Sequence, residues 1–198
     1  MDAFEAIRTR HSYRGGFLPD PVPREDLVRI MEAGLDAPSG CNKQTTYLMA
    51  IDDQALLARL RAVIRPPLRS ENAPAAICVL TRRVNAYRDK CFAVQDYSAA
   101  IENMLLAITA LGYASCWYEG HITDDDRLCD QMAAVLGVPQ DAGLDLVCYL
   151  PVGYPVHVPR GPQKVDFGER AWFNGYGLAA EDEQPDTEGD HEHPDLWD

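Results

Sequence analysis

No apolar run in the 198 residues approaches the roughly 20 needed to cross a bilayer, so no transmembrane helix and no membrane partner are expected. The N-terminus, Met1-Asp2-Ala3-Phe4-Glu5, lacks a basic stretch followed by an apolar one, so no secretory signal and a cytoplasmic location are expected. The six cysteines include no Cys-x-x-Cys pair, and no His/Cys/Asp cluster has structural zinc spacing. Reduced thiols are expected, with Cys78 and Cys148 buried inside apolar runs. There is no Gly-x-Ser-x-Gly elbow, no Walker loop and no His-Glu-x-x-His. Gly175-Tyr176-Gly177-Leu178-Ala179-Ala180 matches a dinucleotide fingerprint in letters only, because no strand precedes it and no βαβ unit surrounds it. Hydrolytic and metal-centred chemistry therefore lack their usual carriers. Basic residues are scarce, 18 against 31 acidic, for a net charge of −13. Nine of the acids fall in residues 181–198, which hold no Lys or Arg, and the remaining 18 basic and 22 acidic residues leave the body at −4. Such a body offers no nucleic-acid footprint. The acidic segment 181–198 is expected to be a disordered tail behind a single domain of residues 1–180.

The chain does hold alternating helix and strand signals. Residues 2–9 read as a short helix. Pro23 opens a second, with Glu25 and Asp26 in its first turn, Leu27, Ile30, Met31 and Leu35 at helical spacing, and Pro38 beyond its end. Short apolar runs at 47–51, 75–80, 114–118 and 144–152 read as strands. Residues 55–64 and 124–136 read as helices, the second capped by Asp124-Asp125-Asp126. The longest helix spans 92–112, with Tyr97, Ile101, Met104, Leu105, Ile108 and Leu111 on one stripe and four alanines widening it. A helix apolar on several faces is buried on more than one side, in a core or at a subunit interface. The class expected is α+β: a central, mostly antiparallel sheet with helices on both faces in three α-β-α layers.

Two polar segments stand out. Arg10-His11-Ser12-Tyr13-Arg14 puts two guanidiniums and a hydroxyl into five residues, a donor set suited to phosphate. Ala37-Pro38-Ser39-Gly40-Cys41-Asn42-Lys43-Gln44 is a loop of small and amide side chains able to meet the polar edges of a flat ring. Together they outline the two ends of a nucleotide-like organic cofactor.

With Glu102-Asn103-Met104-Leu105-Leu106-Ala107, Gly112, Trp117-Tyr118-Glu119-Gly120, Val152-Gly153-Tyr154-Pro155 and Arg160, these segments form an ordered set. In order and spacing, up to about Gly177, it resembles the nitroreductase family of FMN-dependent oxidoreductases. The resemblance implies an interlocked homodimer with FMN sites at its interface and NAD(P)H as electron donor. It implies that Arg10, Ser12 and Arg14 meet the FMN phosphate and ring edge, with Arg160 or Lys164 joining at the phosphate. Pro38, Ser39 and Asn42 would come from the other subunit, and His11, Gly40 and Gln44 also count among the cofactor-binding residues. Glu119 and Gly120 would offer backbone N–H groups to the ring. Residues 171–174 would reach across to the partner, and no side chain is assigned as a catalytic acid or base. The implied reaction is ping-pong reduction of nitroaromatics, quinones or similar small electron-poor acceptors. Reductive dehalogenation, flavin breakdown and non-catalytic flavin storage remain alternatives. Two departures bear on substrate choice. Thr45 and Thr46 stand where the family often has Pro and Trp, and there is no room between Gly120 and Asp124 for a large lid.

Overall fold

The computed structural model of the protein describes residues 1–65, 68, 70, 72–158 and 161–178. Its helices begin where the chain supplies capping groups. The Asp2 carboxylate accepts from the Glu5 N–H at 2.8 Å to open α1 (Ala3–Thr9), and Asp53 does the same for the Leu56 N–H at 2.7 Å to open α3 (Gln54–Val63). Pro23 precedes α2 (Arg24–Leu35), whose first turn carries Glu25 and Asp26 against the helix dipole. The other helices are α4 (Ala93–Ala110), the single turn α5 (Gly120–Thr123) and α6 (Leu128–Val135).

The main sheet has β1 (Thr46–Ile51), β2 (Ala75–Thr81) and β5 (Asp145–Val152) in the order β1-β2-β5, all antiparallel. Every residue of the central β2 is buried. Ala75, Ile77 and Val79 pack with Ile30, Met104 and Ile108 on the α2/α4 side, while Ala76, Cys78 and Leu80 pack with Leu57, Leu60 and Met132 on the α3/α6 side. That period of two puts one helical layer on each face, the three layers expected from the sequence. Val79 pairs with Cys148 but Leu80 pairs with Leu146, so Val147 is the extra residue of a bulge. A separate hairpin joins β3 (Asn85–Tyr87) to β4 (Lys90–Cys91).

Two expectations change. Residues 114–118 are not a ladder strand. Ala114 bridges Gly153 and Tyr118 bridges Tyr149, while Ser115 bridges Ser12 on the other side. The segment's backbone is divided between two neighbours and cannot zip to either. The helix expected from residue 124 begins instead at Leu128. Asp124 closes α5, its carbonyl accepts from the Arg127 N–H at 2.8 Å, and Arg127 turns left-handed at φ 47°. The acidic triplet is used in that turn.

Two units divide the chain, Met1–Gly161 and the segment from Pro162 onward. The first holds the sheet and all six α-helices. Within the second, the described residues form a 3-10 turn (Phe167–Glu169) and a ring pair, Trp172 and Tyr176, with centroids 4.4 Å apart. The expected domain end at residue 180 and the acidic tail lie outside the described residues. No helix among the described residues is long and apolar enough to cross a membrane.

Candidate functional site

Residues 10–14 leave α1 in extended form, and period-two alternation sorts their side chains. Arg10 caps α1 and its guanidinium meets Glu102 of α4 at 3.1 Å. Ser12 bonds to the buried Cys116 thiol, and Arg14 and Arg10 bear on it electrostatically. Burial pushes that thiol up, and Arg14, Ser12 and Arg10, together with Tyr118, pull it the other way. Arg14 and Ser12 are exposed, and Arg14 has no carboxylate partner among the described residues. The alternate residues go elsewhere. Tyr13 is buried, donating to the Gly16 carbonyl at 2.6 Å and accepting from the Val156 N–H at 3.1 Å. His11 packs on Gly161 and lines a different cavity of about 320 Å³ with Thr109, Tyr113 and Pro155. Arg10, Ser12 and Arg14 therefore all act on Cys116, while the His11 side chain faces a different cavity.

The loop after α2 is shaped by one buried carboxylate. Asp96, in the first turn of α4 and 4% exposed, accepts from the Gly40 N–H at 2.7 Å and from the Thr45 hydroxyl at 2.6 Å. Between these anchors Cys41, Asn42 and Gln44 all take left-handed backbone angles, at φ 50°, 54° and 49°. Three such non-glycine residues in four carry a cost of order 1–3 kcal/mol each, a strain that concentrates at ligand-binding segments. The Ser39 hydroxyl accepts from the Gln44 N–H at 3.0 Å, and the Gln44 amide donates to Asn42 Oδ1 at 3.3 Å. Gly40 is required where it stands, since a Cβ there would lie 2.7 Å from Phe92 Cβ. Pro38, Ser39 and Gln44 line a cavity of about 520 Å³ whose far wall is Asp96 and Ala100 of α4. That volume suits a small-molecule ligand.

The third part is residues 117–120. Both Glu119 carboxylate oxygens are engaged, Oε1 by the Tyr97 hydroxyl at 2.6 Å and Oε2 by the Trp117 indole N–H at 2.8 Å. Its carbonyl accepts from the N–H groups of Ile122 and Thr123. Among the described residues, the backbone N–H groups of Glu119 and Gly120 have no partner.

All three parts hang on α4, through Asp96, Tyr97 and Glu102. At about 100° per residue, Tyr97 is turned ~100° from Asp96 and Glu102 ~240°, so the parts occupy three faces of one helix. Asp96, Tyr97 and Glu102 were not among the residues singled out as site residues. A sequence-level signal existed for two of them, acids inside an otherwise apolar helix. Arg160 lies outside the described residues, and Lys164 lies in the second unit, so neither is placed at the cluster.

A model of the nitroreductase family matches residues 7–78 and 69–154. The chain is 31% identical over 155 residues to a protein of Archaeoglobus fulgidus that carries the provisional name NADH dehydrogenase/NAD(P)H nitroreductase, covering 78% of this chain and 86% of that one. A protein of Methanothermobacter thermautotrophicus with the same name is 29% identical, over 80% of each chain. Among solved structures, a nitroreductase with bound FMN from Bacteroides fragilis is 27% identical and superposes with a TM-score of 0.68, covering 84% of this chain and 95% of that one. The chain belongs to the nitroreductase family.

Proposed function

We propose that the protein is an FMN-dependent oxidoreductase that takes electrons from NADH or NADPH and passes them to nitroaromatics, quinones or similar small electron-poor acceptors. The observation that carries the reading is the pair of N–H donors at Glu119 and Gly120, which have no partner among the described residues, at a residue whose carbonyl and carboxylate are both engaged. Adjacent donors left open in this way suit the acceptor atoms of a flat heteroaromatic ring. The rest of the donor set fits FMN as well. Arg10, Ser12 and Arg14 offer a fork and a hydroxyl for a phosphate, and Arg14 has no competing carboxylate among the described residues. Ser39, Asn42 and Gln44 offer short polar groups on a rigid loop. Family membership and the FMN held by the Bacteroides fragilis relative support the choice of cofactor.

FMN, when bound, supplies the ring that accepts hydride and hands electrons on. The chain's part is to hold, orient and leave access. With one open slot serving donor and acceptor in turn, the kinetics are ping-pong. Only the single turn α5 stands between Gly120 and Asp124, so no long lid there narrows the choice of acceptor.

The site is completed by a second copy of the chain. Loop 38–44 and the Arg10 cluster lean on different faces of α4, which favours a site shared between two copies. Apolar side chains left open support that assembly. Phe4 is 72% and Ile7 54% exposed one turn apart on α1, and Phe173 and Tyr176 are open in the second unit. Residues 171–174 reaching to the partner would cover such surface.

The test is the visible spectrum of the purified protein, then anaerobic addition of NADH or NADPH. A yellow protein bleached by either donor is expected. A colourless protein that FMN does not reconstitute overturns the reading, and a yellow one that neither donor bleaches overturns the donor.

A further inference from the structure

Glu119 is engaged at more points than a loop residue needs. Its carbonyl takes two N–H groups and the Thr123 hydroxyl, at 2.9, 3.0 and 3.0 Å. Its carboxylate takes a phenol from α4 on one oxygen and, on the other, the indole of Trp117 two residues before it. The phenol is 3% exposed, and burial together with the bond to Glu119 pushes its titration well above the ordinary tyrosine range. Tyr97 therefore stays a donor at every working pH. Both donors come from packed positions, because Tyr97 and Trp117 both sit with the α2/α4 core. Glu119 itself has φ −124° and ψ −66°, away from the centre of the helical region. A backbone in that conformation, next to Gly120 with no side chain to restrain it, needs an external hold.

We propose that Tyr97 and Trp117 are positioning residues of the cofactor site: by clamping both Glu119 oxygens they fix the two consecutive peptides that carry the open N–H donors, and so set how strongly the site favours reduced over oxidised FMN. The inference rests on the FMN reading above. Two effects would follow from loosening the clamp, and they have the same sign. The N–H donors would lose their fixed direction, and the Glu119 carboxylate would lose the donors that disperse its charge at a site whose ligand gains negative charge on reduction. Both weaken the reduced form more than the oxidised one. Neither residue is placed in contact with the ring, so neither is called catalytic.

The experiment compares wild type, Tyr97→Phe and Trp117→Phe. Each is titrated with FMN in the oxidised state and again after chemical reduction, and the midpoint potential is read against a redox dye. Each variant is expected to lose at least tenfold more affinity for reduced than for oxidised FMN, a fall of about 30 mV for a two-electron couple. Thermal midpoints are recorded beside these values. A variant that is less stable but has an unmoved potential overturns the clamp and leaves Tyr97 and Trp117 as packing residues. Should Tyr97→Phe fail to fold, Trp117→Phe decides alone, because its indole holds the other oxygen. A wild-type protein that binds no FMN overturns the parent reading. A wild type that binds FMN normally beside variants of unchanged potential overturns the clamp only.

Discussion

Arg10 is held in place by the protein without being fully neutralised by it. Among the described residues its guanidinium touches one carboxylate, Glu102, which is 46% exposed and therefore well screened. A guanidinium has five donors, so a phosphate can still be met alongside that contact. Arg10→Ala should weaken FMN binding by roughly 10- to 100-fold, the scale of one charge-assisted hydrogen-bonding partner, while the flavin absorption of whatever binds keeps its shape. An unchanged dissociation constant would remove Arg10 from the site. Buried phenols give a second residue-scale expectation. Tyr149 is 1% exposed, and burial raises its hydroxyl to about 12. In the unfolded chain the same group titrates near 10. The unfolded state therefore loses its proton first, and the folded state is destabilised as pH rises from about 10 to about 12, by up to ~1.4 kcal/mol per pH unit for this one group. Below pH ~10 it contributes no dependence. Urea midpoints measured from pH 8 to 11 should fall only at the alkaline end, and Tyr149→Phe should flatten that fall.

The elements were mostly legible because their signals are local. Capping acids, prolines and apolar spacing mark α1, α2 and α3, and continuous apolar runs mark β2 and β5. What was not legible depends on partners distant in sequence. Residues 114–118 carry a strand's composition but share their backbone between Ser12 and β5. The hairpin β3–β4 turns at Arg88, left-handed at φ 55°, with none of the Asn-Gly or Asp-Gly signals that mark such turns. The site divides the same way. The phosphate-type cluster follows from period-two alternation in 10–14, which also explains why His11 faces elsewhere. Asp96 and Tyr97 act through Gly40, Thr45 and Glu119, between 22 and 56 positions away, and no spacing rule announces that. Gly34 shows an element-scale constraint. A Cβ there would lie 2.7 Å from Met104 Cγ and 3.2 Å from Leu48 Cδ1, so the glycine lets α2 seat on α4 and β1. Gly34→Val should destabilise by about 1–3 kcal/mol through overpacking. Met104→Ala in the same chain should return part of that loss, giving a measurable coupling in a double-mutant cycle. Additive losses would mean that the helices adjust elsewhere.

At the scale of the whole molecule, the question is whether one chain or two build each cofactor site. The geometry of α4 argues for two. Asp96 carries the loop of Ser39 and Asn42 on one face, and Glu102 carries Arg10 on another. If each site takes its phosphate cluster from one protomer and its loop from the partner, complementation follows by counting. A homodimer of Arg10→Ala has both phosphate clusters damaged. A homodimer carrying Ser39→Ala with Asn42→Ala has both loops damaged. In the mixed dimer, one site combines the intact cluster of the second variant with the intact loop of the first, and the other site carries both defects. Co-refolding equal amounts of the two variants yields half of the dimers in mixed form, each with one sound site. About a quarter of all sites should then bind FMN with wild-type affinity, where neither variant alone has any. A site built within one chain predicts no recovery, because each chain keeps its own defect whatever its partner. The two outcomes differ in the amplitude of a tight-binding phase in an FMN titration, which is insensitive to small losses of stability in either variant.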